Sequence, residues 1–348
     1  MNPIRFLPEW ARQSAVLIAW PEPQGDFHRW FAEVENTYRA IAAAISHRET
    51  LLIACRDEPH KNRVREQLRH CDAVLERVCL LTLPYDDIWV RDTAPLAVLN
   101  EGIAELVDFR FNGWGGKYPH ANDAAFGERL VATGVFASTP RKAIGFILEG
   151  GSIETDGSGT LLTTSRCLRN PNRNPGLTRT EIESRLTETL GVERILWLDH
   201  GHVEGDDTDA HIDTLARFCS VDTIAYTTCT DPTDSHYQPL RDMAAQLCEF
   251  RRRDGRPYRL VPLPIPTAIR NEERKRLPAN YANFLIVNDA VLVPIYDDPA
   301  DTIAIERIGT CFPDREMIPI RSAALIHQYG SLHCMTMQFP EPVPIRHP

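Results

Sequence analysis

The feature of this sequence that most restricts its fold is a series of short apolar runs that occur in pairs around turn-forming residues. Short turns rich in Asn, Asp and Gly between apolar runs are typical of β-hairpins. Amphipathic stretches with a helical period fill the intervals between the pairs. The pattern therefore predicts an α/β fold with four hairpins. The paired runs are 95–99 with 104–111, 151–155 with 160–164, 214–220 with 223–229, and 283–287 with 290–296.

One helix between the pairs has clear end signals. Thr178 is followed three residues later by Glu181, which is the pattern of a capping box, and Gly191 is suited to the left-handed conformation that ends many helices. A helix is therefore predicted between these residues.

A polar residue stands at or near the start of each predicted hairpin. These residues are spaced by roughly 60 positions, which indicates a degenerate repeat, and modules stacked around an axis would bring them together at one mouth. Any α/β protein can be cut into similar pieces, however, and the modules share no sequence match. The residues are Asp92, Glu149, His211 and Asn280, with Cys334 opening a final strand-like run.

Composition limits the range of partners and compartments. A formal net charge of −10 disfavours nucleic acid and anionic membranes and favours a small cationic ligand, and 43% hydrophobic residues are ample for a core. The chain has no recognisable export signal and no apolar window near the roughly 18 residues that a membrane helix needs. Nine cysteines without paired short spacings predict reduced thiols and a cytoplasmic location. We expect one domain over residues 1–348, with a Pro-rich tail at 340–348.

The segment 205–218, GDDTDAHIDTLARF, combines dense charge with apolar residues. As an extended strand it would present Asp207, Asp209, His211 and Asp213 on one face. A solvated acidic turn is the alternative interpretation. The apolar residues that follow favour entry into a core, where buried charge is costly unless it is paired or used.

Three further clusters are ambiguous when taken singly. Asp92 in the run DDIWVRD could form a surface ion pair, Glu149 in LEGG could begin a turn, and Cys334 after His333 could be a small core residue. Composition cannot choose among the nine cysteines, although four others lie in strand-like runs and are expected in the core. These are Cys55, Cys79, Cys219 and Cys229.

Taken together and in order, these motifs make the chain resemble the agmatine deiminase family, within the guanidino-modifying superfamily that also holds arginine and peptidyl-arginine deiminases. The resemblance implies an α/β propeller of five modules with pseudo-fivefold symmetry. The matching motifs are LPEWARQSAVLIAWP (7–21), WVRDTAP (89–95), FNGWGGKY (111–118), LEGGSIETDGSGTLLTT (148–164), NPNRNP (170–175), GDDTDAHID (205–213), ANYANFLIVN (279–288) and LHC (332–334).

The resemblance also implies a reaction, in which the guanidinium group of agmatine is hydrolysed to N-carbamoylputrescine and ammonia through an amidino-cysteine intermediate. No cofactor or metal is implied, and a homodimer is compatible with the family. The implied roles are Cys334 as nucleophile, His211 as general acid and base, Glu149 as its partner, Asp92 and Asp213 as holders of the guanidinium, and Trp89, Trp114, Asp207 and Thr208 as further substrate-binding residues, the last two near the distal amine.

The sequence departs from the family pattern at three places. The family commonly has Glu at Asp207, Gly at Ala210, and a GGGN run where residues 329–332 read Tyr-Gly-Ser-Leu. These changes leave free or peptidyl arginine open as substrates. Two other classes also remain open: an inactive binding protein on the same fold, and a metal-dependent hydrolase that would use His200, His202, Glu204, Asp207, Asp209 and His211.

Overall fold

The computed structural model describes residues 3–346, so the last two residues of the predicted tail lie outside the described range. Within that range the fold is mixed α/β, as the periodicities predict. Its strands are β1 (Ile4–Phe6), β2 (Gln13–Ala19), β3 (Thr50–Cys55), β4 (Val78–Thr82), β5 (Leu96–Asn100), β6 (Ile103–Arg110), β7 (Arg141–Ile147), β8 (Ile153–Thr155), β9 (Thr160–Thr164), β10 (Arg194–Leu198), β11 (Ala216–Ser220), β12 (Thr223–Thr227), β13 (Arg259–Leu263), β14 (Leu285–Val287), β15 (Ala290–Ile295), β16 (Glu316–Arg321) and β17 (Thr336–Pro340).

Several α-helices connect or cover these strands. They are α1 (Phe31–Ser46), α2 (Glu58–Arg69), α3 (Val90–Thr93), α4 (Gly113–Gly116), α5 (Phe126–Ala132), α6 (Ser165–Leu168), α7 (Arg179–Leu190), α8 (Tyr237–Glu249) and α9 (Ala300–Gly309). In the described part of the chain, no helix is long and apolar enough to cross a lipid bilayer.

The strands form five small sheets that share one connectivity. Four sheets contain a predicted hairpin, since β5 pairs with β6, β8 with β9, β11 with β12, and β14 with β15, all antiparallel. In each sheet the chain then passes through at least one helix to a third strand that lies parallel to the second, namely β7, β10, β13 and β16. The four hairpin predictions are therefore confirmed.

The fifth sheet joins the two ends of the chain. Its antiparallel pair is β17 with β2, in a register that places Thr336 opposite Ile18, and the chain continues through α1 to the parallel strand β3. This sheet has the same connectivity as the other four, but its first strand comes from the C-terminal end of the sequence. The strand-like runs had been predicted, whereas their pairing had not.

The sheets are buried because helices and neighbouring sheets cover them. In β2 and β3 nearly every side chain is apolar and fully buried, which is typical of strands covered on both faces. The helix α7 shows the predicted ends: Thr178 and Glu181 form a capping box, and Gly191 has a φ of 71°. A Cβ atom on Gly191 would lie 2.0 Å from the Ile4 carbonyl oxygen, so this turn also packs tightly against β1.

The extended conformation predicted for 205–213 is wrong. Asp206 accepts hydrogen bonds from the Thr208 backbone and hydroxyl through Oδ1 and from the Ala210 amide through Oδ2, which closes a turn. Asp209 and Ala210 both have φ of 66°, and a short 3-10 helix follows at Ile212–Thr214. Side chains therefore do not alternate between two faces here.

Three of the four cysteines expected in the core, Cys55, Cys79 and Cys219, are buried. Cys229 lies beyond the end of β12 and is only partly buried, so that part of the prediction is wrong.

Candidate active site

A cavity of about 370 Å³ is lined by five of the six side chains predicted for substrate binding, and Asp213 is the one that is not in its lining. Cys334 and Asp92 line it, and four of the lining residues are further carboxylates. The lining residues are Asp26, Asp86, Asp87, Trp89, Asp92, Trp114, Tyr118, Pro119, Asp207, Thr208, Gln328, Tyr329, Gly330 and Cys334. None of these described residues is Lys or Arg.

The polar residues that open the five sheets meet beside this cavity. Each stands a few positions before the first strand of an antiparallel pair, for example Asp92 before β5 and Cys334 before β17. His211 Nδ1 lies 3.8 Å from Asp92 Oδ1. Asn280 is linked to the site through Asn283. The Asn280 side chain accepts a hydrogen bond from the backbone amide of Asn283, and the Asn283 side chain donates to the Cys334 sulfur. The expected convergence of these residues is thus observed.

Cys334 is buried between a carboxylate and an amide. Its Sγ lies 3.5 Å from Asp213 Oδ2, and Asn283 Nδ2 donates to the sulfur at 3.1 Å. Burial, together with the negative charges of Asp213 and Asp92, raises the pKa of the Cys334 thiol well above its usual value. Without a bound cation the sulfur is therefore a thiol at neutral pH.

Asp213 is fully buried and has one oxygen without a partner. His333 Nδ1 lies 2.8 Å from Asp213 Oδ2, whereas Oδ1 makes no hydrogen bond within residues 3–346. Burial alone would raise the pKa of Asp213, but the hydrogen bond and positive charge of His333 lower it below its usual value. Asp213 is thus an ionised carboxylate with an oxygen available for a cationic ligand.

Asp92 is held by two donors from distant segments. Gly151 N donates to Oδ1 and Trp114 Nε1 to Oδ2, both at 2.9 Å. The indole reaches Asp92 because Gly113, Trp114 and Gly115 all have positive φ, between 53° and 87°. Burial raises the pKa of Asp92.

His211 is almost fully buried, and its Nε2 has no hydrogen-bond partner in the described chain. Burial alone would lower the pKa of His211, but the Asp92 carboxylate raises it to about 10. The ring is therefore protonated at neutral pH and can act as a proton donor.

A buried arginine that sequence reasoning missed holds Glu149. Arg173 Nε donates to both Glu149 oxygens at 3.0 and 3.1 Å, and its Nη1 pairs with Asp209 Oδ2 at 2.5 Å. An oxygen of Glu149, the Cys167 sulfur and a ring nitrogen of His211 all lie within 4.8 Å of one another. Glu149 is thus next to His211, as its predicted role requires.

Asp207 is already paired at the cavity wall. Lys117 Nζ lies 3.5 Å from Asp207 Oδ1 and 3.3 Å from Asp209 Oδ1, and the Tyr118 hydroxyl donates to Asp207 Oδ2. Arg179 and Arg270 do not line the cavity: Arg179 pairs with Glu183 on α7, and Arg270 donates to the Arg274 carbonyl group.

Comparison with known proteins shows the family to which the chain belongs. The family model for Porphyromonas-type peptidyl-arginine deiminases matches residues 5–340. The chain belongs to this family. It is 33% identical to the agmatine deiminase of Pseudomonas syringae pv. tomato, with 96% of this chain and 95% of that protein covered.

Two solved structures are similar over nearly their whole length. One, from Porphyromonas gingivalis and provisionally named an arginine deiminase, is 48% identical with a TM-score of 0.93 and covers 99% of this chain and 100% of its own. A substrate-bound agmatine deiminase from C. jejuni is 33% identical with a TM-score of 0.88, covering 99% and 97%. These deiminase relatives have the same fold as this chain.

The departures from the glycine-rich family pattern are visible in the loop before the nucleophile. Tyr329 occupies a left-handed conformation with φ of 71°, which a glycine would adopt without strain. At Gly330 a Cβ atom would lie 2.4 Å from the Trp89 ring, so this glycine lets the indole pack directly on the loop. In this chain a non-glycine residue therefore occupies the left-handed position at 329, whereas a side chain at 330 would require the Trp89 ring to move.

The structure does not bring together the ligand set of the metal-dependent alternative. Among residues 3–346, two clusters have three potential metal ligands, namely Glu149 with Cys167 and His211, and Glu9 with Glu154 and His333. His200 and His202 belong to neither and line a separate surface depression. Both clusters also contact arginines, whose positive charge opposes binding of a cation.

Proposed function

We propose that this deiminase-family protein hydrolyses the guanidinium group of agmatine to N-carbamoylputrescine and ammonia. The observation that carries the proposal is the cavity, which contains Cys334, has carboxylates along its wall and has no cationic side chain in its lining. A ligand with two positive charges fits this lining better than one that carries a carboxylate. The alternative substrate, free arginine, would need a cation for its carboxylate, and Lys117 is already paired with Asp207 and Asp209.

Substrate binding prepares the nucleophile. The planar guanidinium would lie between Asp92 and Asp213, whose unpartnered Oδ1 accepts one of its N–H groups. The positive charge of the substrate then offsets the two carboxylates that oppose ionisation of Cys334, and the thiol gives its proton to solvent water. Because Asp213 touches the sulfur, the guanidinium carbon is placed within reach of it.

The reaction then proceeds in two halves. The Cys334 thiolate forms a C–S bond to the guanidinium carbon, His211 gives its proton to the terminal nitrogen, and ammonia leaves, so that an amidino-cysteine remains. Neutral His211 next removes a proton from water, the resulting hydroxide adds to the same carbon, and the C–S bond breaks. The Cys334 thiolate takes up the proton that the new hydroxyl oxygen of the product loses, His211 is again protonated, and N-carbamoylputrescine is released.

Ammonia release should be measured with agmatine, arginine and a blocked arginine peptide under the same conditions. We expect kcat/KM to be highest for agmatine. A higher kcat/KM for arginine or for the peptide would overturn the substrate assignment while leaving the deiminase chemistry in place.

We also propose that the five sheets form one domain, arranged as a five-module propeller around the cavity. Support comes from their shared connectivity and from the meeting of their opening residues at one site. A cytoplasmic location is consistent with all nine cysteines being free. The homodimer that the family resemblance allows stays a prediction.

A further inference from the structure

Three titratable side chains, Asp213, His333 and Glu9, form a hydrogen-bonded row that begins beside the Cys334 sulfur. His333 Nδ1 is 2.8 Å from Asp213 Oδ2, and His333 Nε2 is 2.7 Å from Glu9 Oε1. The ring of His333 and Asp213 are completely buried. Glu9 lies in the segment before β2, and neither Glu9 nor His333 has a role in the mechanism described so far.

The hydrogen-bond pattern fixes the charge of the imidazole. An ionised carboxylate only accepts hydrogen bonds, so His333 can bond both neighbours only when both of its nitrogens carry protons. Other cations favour the ionised form of both neighbours without help from His333. Glu9 pairs with Arg91 at 3.0 Å and Arg217 at 2.6 Å, and the positive charges of His211 and Arg217 also lower the pKa of Asp213. The row is thus carboxylate, imidazolium, carboxylate.

This imidazolium has two consequences for Asp213. It occupies Oδ2, so the free oxygen Oδ1 is left for a cationic ligand. It also places a positive charge next to Asp213, which together with Asp92 opposes the thiolate. The ring does not line the cavity, so we expect its effect on the substrate to pass through Asp213.

We propose that His333, kept doubly protonated by Glu9, is a positioning residue that aims Asp213 at the guanidinium and favours ionisation of Cys334. The substrate half of this inference rests on the proposed function, whereas the effect on Cys334 does not.

A purely structural explanation must be separated from this one. Glu9 also pairs with Arg91 at 3.0 Å and Arg217 at 2.6 Å, so the row could serve only to fasten the N-terminal segment to the sheets. A test therefore needs a readout that loosening of this segment alone would not change. The titratable and charged groups that face the row are Arg91, Arg217, Glu154, His211 and Cys334.

The test compares three variants by thermal unfolding, by the pH profile of kcat/KM for agmatine, and by the pH profile of Cys334 alkylation followed by mass spectrometry. His333→Asn retains a donor for Asp213 without the charge. Glu9→Gln retains the shape at position 9 and allows Nε2 to accept from an amide, so the ring no longer needs its second proton. Gln338→Leu is the matched control, because Gln338 Nε2 donates to Glu9 Oε2 but does not touch the ring.

We expect His333→Asn to lower kcat/KM by on the order of a hundredfold, since small errors in the position of a reacting group have effects of this size. In both His333→Asn and Glu9→Gln, alkylation of Cys334 should require a higher pH than in the parent. In Glu9→Gln, kcat/KM should also fall as pH rises through the neutral range, because His333 can then lose its second proton. The kcat/KM of the parent should not fall in this range. Gln338→Leu should lower Tm and leave both pH profiles unchanged.

Unchanged alkylation and kcat/KM profiles in folded His333→Asn and Glu9→Gln would overturn the proposal and leave a structural role. If one variant fails to fold, the other decides. If the parent does not act on agmatine, the proposed function fails, but the alkylation profiles still test the effect of His333 on Cys334.

Discussion

At the scale of single residues, the surroundings of Cys334 differ from those of a core cysteine. Cys334 touches Asp213 and Asn283 and lines a cavity that can hold a cation, whereas Cys219 is packed within the core. Composition could not show which cysteine is the nucleophile. The sequence-based prediction of Cys334 depended on the family motif LHC at residues 332–334.

Replacing Cys334 by Ala should abolish ammonia release and leave Tm nearly unchanged, because only this sulfur can form the covalent intermediate. Cys219→Ala is the matched control: it should keep kcat and lower the free energy of unfolding by about 1 kcal/mol, since it removes a buried sulfur. Steady-state assays and thermal unfolding of both variants check this, and any turnover by Cys334→Ala equal to that of the parent would contradict it.

Asp207 is expected to hold the distal amine of agmatine despite its bonds to Lys117 and Tyr118. Since that contact exists in both the ground state and the transition state, Asp207→Asn should raise KM for agmatine about tenfold and change kcat little. Propylguanidine, which lacks the amine, is the control substrate. An equal loss with both substrates would show that Asp207 does not bind the amine.

At the scale of elements, the turn before β8 allows three polar groups to meet. A Cβ atom at Gly151 would lie 2.8 Å from His211 Nδ1 and 3.0 Å from both Asp213 Oδ2 and Asp92 Oδ1. Gly151 also donates its amide to Asp92. The second glycine of the LEGG motif is therefore explained by close approach of side chains rather than by an unusual backbone angle.

Gly151→Ala should consequently lower kcat/KM by about a hundredfold, because His211, Asp213 or Asp92 must move to admit the methyl group. Gly145→Ala, in β7, is the control, since a Cβ atom there meets nothing within 4 Å and activity should be retained. Kinetics and circular dichroism of the two variants test this. Full activity in Gly151→Ala would contradict the claim that a methyl group at this position displaces His211, Asp213 or Asp92.

Among the secondary-structure elements, those that depend on neighbouring residues were predicted from the sequence, and the turn at 205–213 was not. Hairpins and the capped helix α7 depend on neighbouring residues, so local patterns predicted them. The turn at 205–213 depends on the Asp206 side chain, which competes with strand pairing, and the pattern of alternating charge could not reveal this.

At the scale of the whole molecule, contacts between residues far apart in the chain determine the features that the sequence did not predict. The pairing of β17 with β2 and the contacts of Glu9, Arg173 and Asn283 join residues far apart in the chain. All three residues lie within motifs that carry the family resemblance, but a motif match gives no partner. The convergence of the hairpin starts could be predicted because the spacing itself suggested modules around a common site.

The buried acidic groups of the molecule predict how its stability depends on pH. Burial raises the pKa of Asp87 and of Asp123 to about 7, and that of Glu49 to about 8. For His211, burial alone would lower the pKa, but the Asp92 carboxylate raises it to about 10. In each case the folded protein holds its proton to a higher pH than the unfolded chain does. Since stability falls with pH wherever the folded state binds more protons, the free energy of unfolding should decrease.

For the carboxyl groups this loss begins above their ordinary values near 4 and is complete once pH exceeds about 7 to 8. For His211 it begins near pH 6.5 and continues to about pH 10. Burial lowers the pKa of four histidines (His60, His202, His236 and His327), which are mostly neutral in both the folded and the unfolded state above pH 7. Urea unfolding between pH 7 and 10 should therefore show a continuous decrease. In Glu49→Gln, a neutral side chain of the same shape can still bond Asn288, so the part of the decrease below about pH 8 should shrink while the part above it remains. A free energy of unfolding that rises between pH 7 and 10 would contradict the assignment of these groups as buried and protonated.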